Sequence, residues 1–200
     1  MGLFADRLVV VRGAGDLGTG VAWRLARVGF PVVALDLARP RAVRRTVAFA
    51  TALLEGHIEV DGISARRVDE PADALATATA GEVAVLAAET LPTFPKPPSV
   101  VVDARLAKEV LDTSIEQAPF VVALGPGLVA GTDCHAVVET MRGQRLGSVI
   151  WEGAAHPNTG VPGDLGGVTA RRVLRSTGAG DVRWQVGFGD AVTEGDTLGP

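Results

Sequence analysis

Over the first 125 residues the hydrophobic positions form short continuous runs, separated by segments that carry a helical stripe or turn residues. The run ending at Val11 leads into Gly13, Gly15 and Gly18, and then into Val21, Leu25 and Val28 at i, i+4 and i+7. That spacing predicts a helix with one buried face. Phe30 to Leu35 is apolar throughout, as expected of a parallel strand covered on both sides. Pro40 opens a second predicted helix, striped by Val43, Val47, Ala50 and Leu54, with Arg41, Arg44 and Arg45 off the stripe. From His57 to Val68 two alternating runs flank Asp61-Gly62, a type I′ hairpin signal. Asp73 to Thr79 predicts a short helix, and Glu82–Ala88, Ser99–Asp103 and Phe120–Leu124 predict strands. Leu91 to Pro98 (LPTFPKPP) is too rich in proline for a helix. Strands alternating with helices from residue 8 to about 125 predict an α/β fold, a Rossmann-like, mainly parallel sheet.

The first strand–helix junction carries candidate chemistry. Gly13, Ala14, Gly15, Asp16, Leu17 and Gly18 fit G-x-G-x-x-G, with Asp36 ending the next strand about 20 residues on. The first glycine makes the tight turn, the second lets backbone approach a pyrophosphate, and the third lets the helix pack closely. The helix start presents unpaired N–H groups to the anion, and Asp36 can accept ribose hydroxyls. The alternative is an ordinary strand–turn–helix junction in a chain with 25 glycines. Arg12, where dinucleotide folds usually keep a small or apolar residue, can meet a phosphate, pair with Asp36 or reach solvent. Arg41, Arg44 and Arg45 form either a solvated face or a phosphate contact.

Beyond Leu124 the pattern changes. Gly125, Gly127 and Gly131 make a second glycine loop, followed by His135–Met141 and Arg145–Trp151 as two predicted antiparallel strands. Asp133, Cys134, His135 and Glu139 gather reactive side chains there. Their spacing matches no zinc pattern, and adjacent Cys134 and His135 point to opposite faces of a strand, which argues against a nucleophile–base pair. They are read as a ligand-recognition loop with Gly125 and Gly127, the alternative being a buried cysteine and a hydrogen-bonded histidine at a strand start. No metal site is assigned.

Composition narrows the classes. Forty-seven per cent of residues are hydrophobic, enough for a core, and a net charge of −4 argues against a general nucleic-acid binder. Aromatic residues make up only 4%, with no tyrosine, too few for a single-strand stacking surface. The one cysteine excludes an intrachain disulfide and fits a reducing compartment. The first strand starts too early for a signal peptide, and no apolar run reaches the ~18 residues of a membrane span. A cytoplasmic protein is expected.

Five segments together resemble one family: RGAGDLGTGVAWRL, ARPRAVRRTVAFA, VVDARLAK, LGPGLVAGTDCHAVVETMRG and PNTGVPG. They are similar to the YqeB family of accessory proteins associated with selenium-dependent molybdenum hydroxylases. The resemblance implies a bacterial cytoplasmic protein with a Rossmann-type domain, encoded among factors that mature or serve molybdenum-cofactor enzymes. The tail, with Gly189-Asp190 and Gly195-Asp196, resembles the first hairpin of a barrel-sandwich hybrid domain. No Glu-Met-Lys is present to accept lipoyl or biotin, and the chain stops at Pro200 where family members continue through a second half-module. Three segments are expected: a nucleotide-binding domain (1–125), a β-rich extension (126–167) that brings the Asp133–His135 loop near the nucleotide crevice, and a partial barrel-sandwich-like segment (168–200). The expected function is a nucleotide-binding accessory factor for a molybdenum hydroxylase. Its ligand would be NAD(P), a related dinucleotide, or a dinucleotide form of the molybdenum cofactor. One alternative is an NAD(P)-dependent oxidoreductase using His135, Cys134 or His156 as proton donor. Another is a non-catalytic scaffold that docks a partner enzyme.

Overall fold

The structure, a computed structural model, describes residues 4–158, 174, 178–180 and 182–199. The chain divides into two compact units, 1–159 and 160–200. In the first unit β1 (Val9–Arg12), α1 (Asp16–Arg27) and β2 (Val32–Asp36) form the predicted strand–glycine–helix–strand sequence. A four-residue helix α2 (Ala52–Glu55) precedes the hairpin of β3 (His57–Val60) and β4 (Ile63–Val68). Both hairpin turn residues have positive φ, 49° at Asp61 and 78° at Gly62, as a type I′ turn requires. Helix α3 (Pro71–Ala80), β5 (Val83–Ala87), β6 (Val100–Asp103) and β7 (Phe120–Leu124) follow, close to their expected places.

The chain then adds β8 (Val129–Ala130), β9 (Ala136–Val138), β10 (Val149–Ile150) and β11 (Gly153–Ala154). Nine strands form one sheet in the order β10-β9-β7-β6-β1-β2-β5-β4-β3. It is parallel from β9 to β4, with antiparallel partners only at the two edges. β8 and β11 pair separately. The result is an α/β unit with a mostly parallel sheet and few helices. Because β9 and β10 continue the main sheet, the compact unit extends past residue 125 to 159; the chain from 126 to 154 is part of it and not an appendage.

Alternation along the strands divides the core into two faces. Val9, Val11, Val32 and Ala34 face α1, with Ala22 and Phe49. Leu8, Val10, Val33 and Leu35 face the other side, with Ala74 and Ala78 of α3. The proline-rich link from β5 to β6 carries the chain past β2 and β1, so strand addition reverses direction beside β1. At such a reversal the loops leaving neighbouring strands diverge, and ligands of open α/β sheets bind there.

Two helical expectations are corrected. The fully buried positions of α1 are Gly18, Thr19 and Ala22; of the expected stripe, Val21 and Leu25 pack partly buried against the same core, whereas Val28 is 45% exposed. Close contact between Gly18 and the loop before it leaves no room for a side chain at the start of the helix. The segment from Pro40 is not a long helix but two 3-10 turns (Arg45–Val47 and Phe49–Thr51) leading into α2, with Val43 exposed. Its backbone donors go elsewhere. The N–H of Ala50 donates to the Ala14 carbonyl at 2.9 Å, and that of Phe49 to Thr19 Oγ1 at 2.8 Å. Docking on the glycine loop replaces helical i→i−4 bonds.

In the second unit the described residues form turns and no strand. Gly189 and Gly195 take positive φ, and Asp190 and Asp196 accept backbone N–H bonds from Gly187 and Thr193, each at 2.7 Å. Of the expected β-like tail, residues 168–173, 175–177, 181 and 200 lie outside the described residues, as does 159–163 of the PNTGVPG motif.

Candidate functional site

The three glycines after β1 serve different ends. Gly13 has φ 98° and donates to the Leu35 carbonyl at 2.7 Å. A Cβ there would lie 2.7 Å from the Ala104 carbonyl oxygen, so the chain leaving β6 presses on this turn. A Cβ on Gly18 would lie 1.8 Å from the Gly13 carbonyl oxygen, which makes Gly18 the seat of α1 on the loop. Gly15 is different: its φ is −66°, and a Cβ there would meet nothing within 4 Å. It is also the residue before α1, and no side chain caps that helix. The N–H groups of the first turn therefore have no intrahelical acceptor and point out of the helix start.

Asp36 ends β2 beside this loop. Its Oδ2 accepts the Ala14 N–H at 2.7 Å and its Oδ1 accepts the Leu37 N–H at 2.8 Å. Each carboxylate oxygen keeps a second lone pair, so the group can still accept a hydroxyl. Asp16 forms an ion pair with Arg44, and Leu17 is exposed. A shallow, mainly apolar cleft of about 250 Å³ lies on the outer flank of α1, lined by Asp16, Thr19, Trp23, Val47 and Asp61 among others.

Arg12 takes none of the partners expected from its place in the sequence. Its side chain is only 1% exposed and pairs with Asp112, whose two oxygens lie 2.7 and 2.6 Å from Nη2. It also reaches Thr113 Oγ1 (3.3 Å), Gln117 Oε1 (3.4 Å) and the Glu89 carbonyl (3.2 Å). Arg105 lies next to it. Arg105 grips Asp103 through Nε and Nη2 (3.2 and 2.7 Å), and donates to Asp112 Oδ1 and Thr113 Oγ1 at 2.7 and 2.8 Å. Thr113 in turn donates to Asp103. Burial pushes the Asp103 carboxyl up, but bonds from Arg105 and Thr113 outweigh it and hold the group below the ordinary range. At Asp112 burial is likewise overcome by the two guanidiniums.

The second predicted cluster is divided by the sheet. β9 runs parallel to β7, and His135 lies beside Val121 at the amino ends of the strands. Val121 donates its N–H to His135 Nδ1 at 2.9 Å and accepts the His135 N–H at 2.8 Å. Asp133 accepts the Val129 N–H at 2.8 Å and closes a turn. Cys134 is fully buried, and burial together with Asp133 pushes its thiol up. Asp133–His135 thus lies at the edge opposite the Gly13 loop and does not adjoin the crevice as expected. Glu139 follows β9 at the carboxyl edge, about 13 Å from His135 at the rise of an extended chain. Its partners are the N–H groups of Met141 (2.7 Å) and His156 (2.9 Å) and the His156 ring Nδ1 (2.7 Å). These bonds, the backbone ones first, bring its carboxyl down to about 2. Gly125 and Gly127 are packing positions. A Cβ on Gly125 would lie 2.6 Å from Thr140 Oγ1, and one on Gly127 would lie 2.5 Å from the Lys108–Glu109 backbone.

Sequence reasoning missed the Arg12–Asp112–Arg105–Asp103 network and the Glu139–His156 pair. One signal was available: a charged residue ending a four-residue apolar strand is buried and needs a counter-charge. Which carboxylate supplies it depends on long-range folding.

Fold and edge together define an α/β protein whose mostly parallel sheet carries a glycine loop, a carboxylate and two neighbouring arginines, buried Arg12 and partly buried Arg105, at its carboxyl edge. No family model matches the sequence, and no solved structure matches it. The chain is 47% identical over 193 residues, 96% of its length, to the protein of Escherichia coli (strain K12) described as "Uncharacterized protein YqeB". The chain spans 36% of the length of that relative. Among the described residues no helix is long and apolar enough to cross a membrane.

Proposed function

We propose that this chain binds a dinucleotide across the Gly13–Gly18 loop, in a Rossmann-like manner, and serves as an accessory factor of a molybdenum hydroxylase. The observation that carries the binding half is the contrast among the glycines. Packing accounts for Gly13 and Gly18, whereas Gly15 faces open space at an uncapped helix start. A bare backbone there suits a pyrophosphate, and Asp36 at the end of β2 suits a ribose hydroxyl. The residues fit such a group: donors for the phosphates come from the first turn of α1 and an acceptor for the sugar from β2. The ligand is NAD(P), a related dinucleotide, or a dinucleotide form of the molybdenum cofactor. The partner half rests on the likeness to YqeB and to the family motifs, and cytoplasmic placement goes with it.

Calorimetry with NAD tests the binding reading. Gly15→Val should fold and lose at least tenfold in affinity, because the added side chain fills the space the pyrophosphate needs. Undiminished affinity in the folded variant overturns it. Asp36 should disfavour a 2′-phosphate, so NADP should bind more weakly than NAD. An NAD(P)-dependent oxidoreductase is a second reading, favoured by the imidazole that Glu139 orients at the carboxyl edge. NADH oxidation that disappears in His156→Ala while NADH still binds would favour it over the accessory role.

A further inference from the structure

We infer that Arg12 and Arg105 form an oxyanion-binding site at the carboxyl edge, and that Asp112 occupies it as a displaceable internal ligand. The site is distinct from the dinucleotide loop. Arg12 and Asp103 alternate in register with Leu8, Val10 and Val101, on the face away from α1, whereas Asp36 and Ala14 belong to the α1 side. Asp112 bridges both guanidiniums as a bound carboxylate would, with one oxygen shared between Arg12 and Arg105. Arginine forks suit carboxylate and phosphoryl groups, and burial of Arg12 makes such a bond stronger than it would be in water. With Asp112 withdrawn, two cations face the single carboxylate of Asp103, and the excess positive charge calls for an anion.

The segment that carries Asp112 is built to leave. Between buried Ala104 and buried Thr113 no residue is buried, and Val110 and Leu111 are about half exposed. Leu106 and Lys108 take positive φ, 54° and 67°, an unfavourable conformation for residues with side chains. Leu106 packs against the core and the Lys108–Glu109 backbone abuts Gly127, but the stretch has few other apolar contacts, and with its strained backbone these mark low local stability. Arg12, by contrast, sits on the central strand, and Arg105 is fixed by Asp103. The cationic half of the site is therefore rigid and the anionic half is the movable one. A ligand bearing a carboxylate or phosphoryl group would take the place of Asp112 and free residues 106–112.

Inorganic phosphate and acetate, titrated in parallel into the full chain, test this; the tighter of the two identifies the acid group. Asp112→Asn should bind the better probe at least tenfold more tightly than the unaltered chain, and adding Arg105→Gln should abolish that gain. Gly15→Val should leave it intact, since the dinucleotide loop is not involved. Hydrogen exchange on the unaltered chain provides a second readout that does not depend on the variants folding. The probe should speed exchange severalfold across 106–112 and leave the strand amides unchanged. A purely structural ion network predicts no gain on Asp112→Asn and no change at 106–112, and either result overturns the inference. So does a gain that survives Arg105→Gln.

Discussion

Gly15 and Gly18 stand three residues apart in one loop, yet the space around them predicts opposite outcomes. A Cβ on Gly18 would fall 1.8 Å from the Gly13 carbonyl oxygen, which only a shift of the helix can relieve. Gly18→Ala should cost about 3 kcal/mol or more, in the range of severe overpacking. Gly15→Ala meets open space at an ordinary φ and should cost under about 1 kcal/mol, the scale of a helix-cap change. Urea unfolding of the two variants checks the contrast, and similar losses would show that Gly18 is no more crowded than Gly15. Glu139 gives a pH test at the same scale. Its folded carboxyl lies at about 2 against an ordinary value of 4.5, so its contribution to stability is complete above about 4.5 and is lost as pH falls towards 2. Glu139→Gln should be less stable at neutral pH and lose less stability across that acid window, measured by unfolding at several pH values. An acid dependence as steep as that of the unaltered chain would contradict the assignment.

At the scale of elements, the glycine loop, α1 and the segment from Arg45 to Thr51 are joined through one hydroxyl. Thr19 Oγ1 donates to the Ala14 carbonyl at 3.1 Å and accepts the Phe49 N–H at 2.8 Å, both bonds buried. Thr19→Val preserves shape and leaves the Phe49 N–H unpaired, at a cost of about 1–3 kcal/mol. Protection of the Phe49 and Ala50 amides from hydrogen exchange should fall with it, and unchanged protection would dissociate the segment from the loop. The helical stripe read from Val43 to Leu54 was misleading for this reason. Periodicity records which positions could face a core, but here a neighbouring loop competes successfully for the backbone donors. The β3–β4 hairpin was legible because Asp61-Gly62 specifies its turn locally.

For the whole molecule, the decisive feature is the reversal of strand addition beside β1, which brings Gly13, Arg12, Asp36 and Asp103 to one edge. If that edge binds NAD, folding and binding are linked. At a free concentration one hundred times Kd, NAD should stabilise the protein by about 2.7 kcal/mol. A rise in Tm that is absent in Gly15→Val would show it, whereas an unchanged Tm at saturating ligand would count against the site.

By itself the sequence determined the features set by neighbours in the chain: the strand runs, the glycine turn and the I′ hairpin. It also placed the junction of β1, α1 and β2 and the acid at the end of β2, because spacing along one βαβ unit translates directly into position. Only the tertiary structure decided the rest. It joined Arg12 to Asp112 across one hundred residues, separated His135 from Glu139 to opposite ends of one short strand, and paired Glu139 with His156. The physical reason is that a buried charge requires a partner but does not specify which one. That choice depends on strand order and on where the loops between strands come to rest, and both are set by packing across the whole sheet.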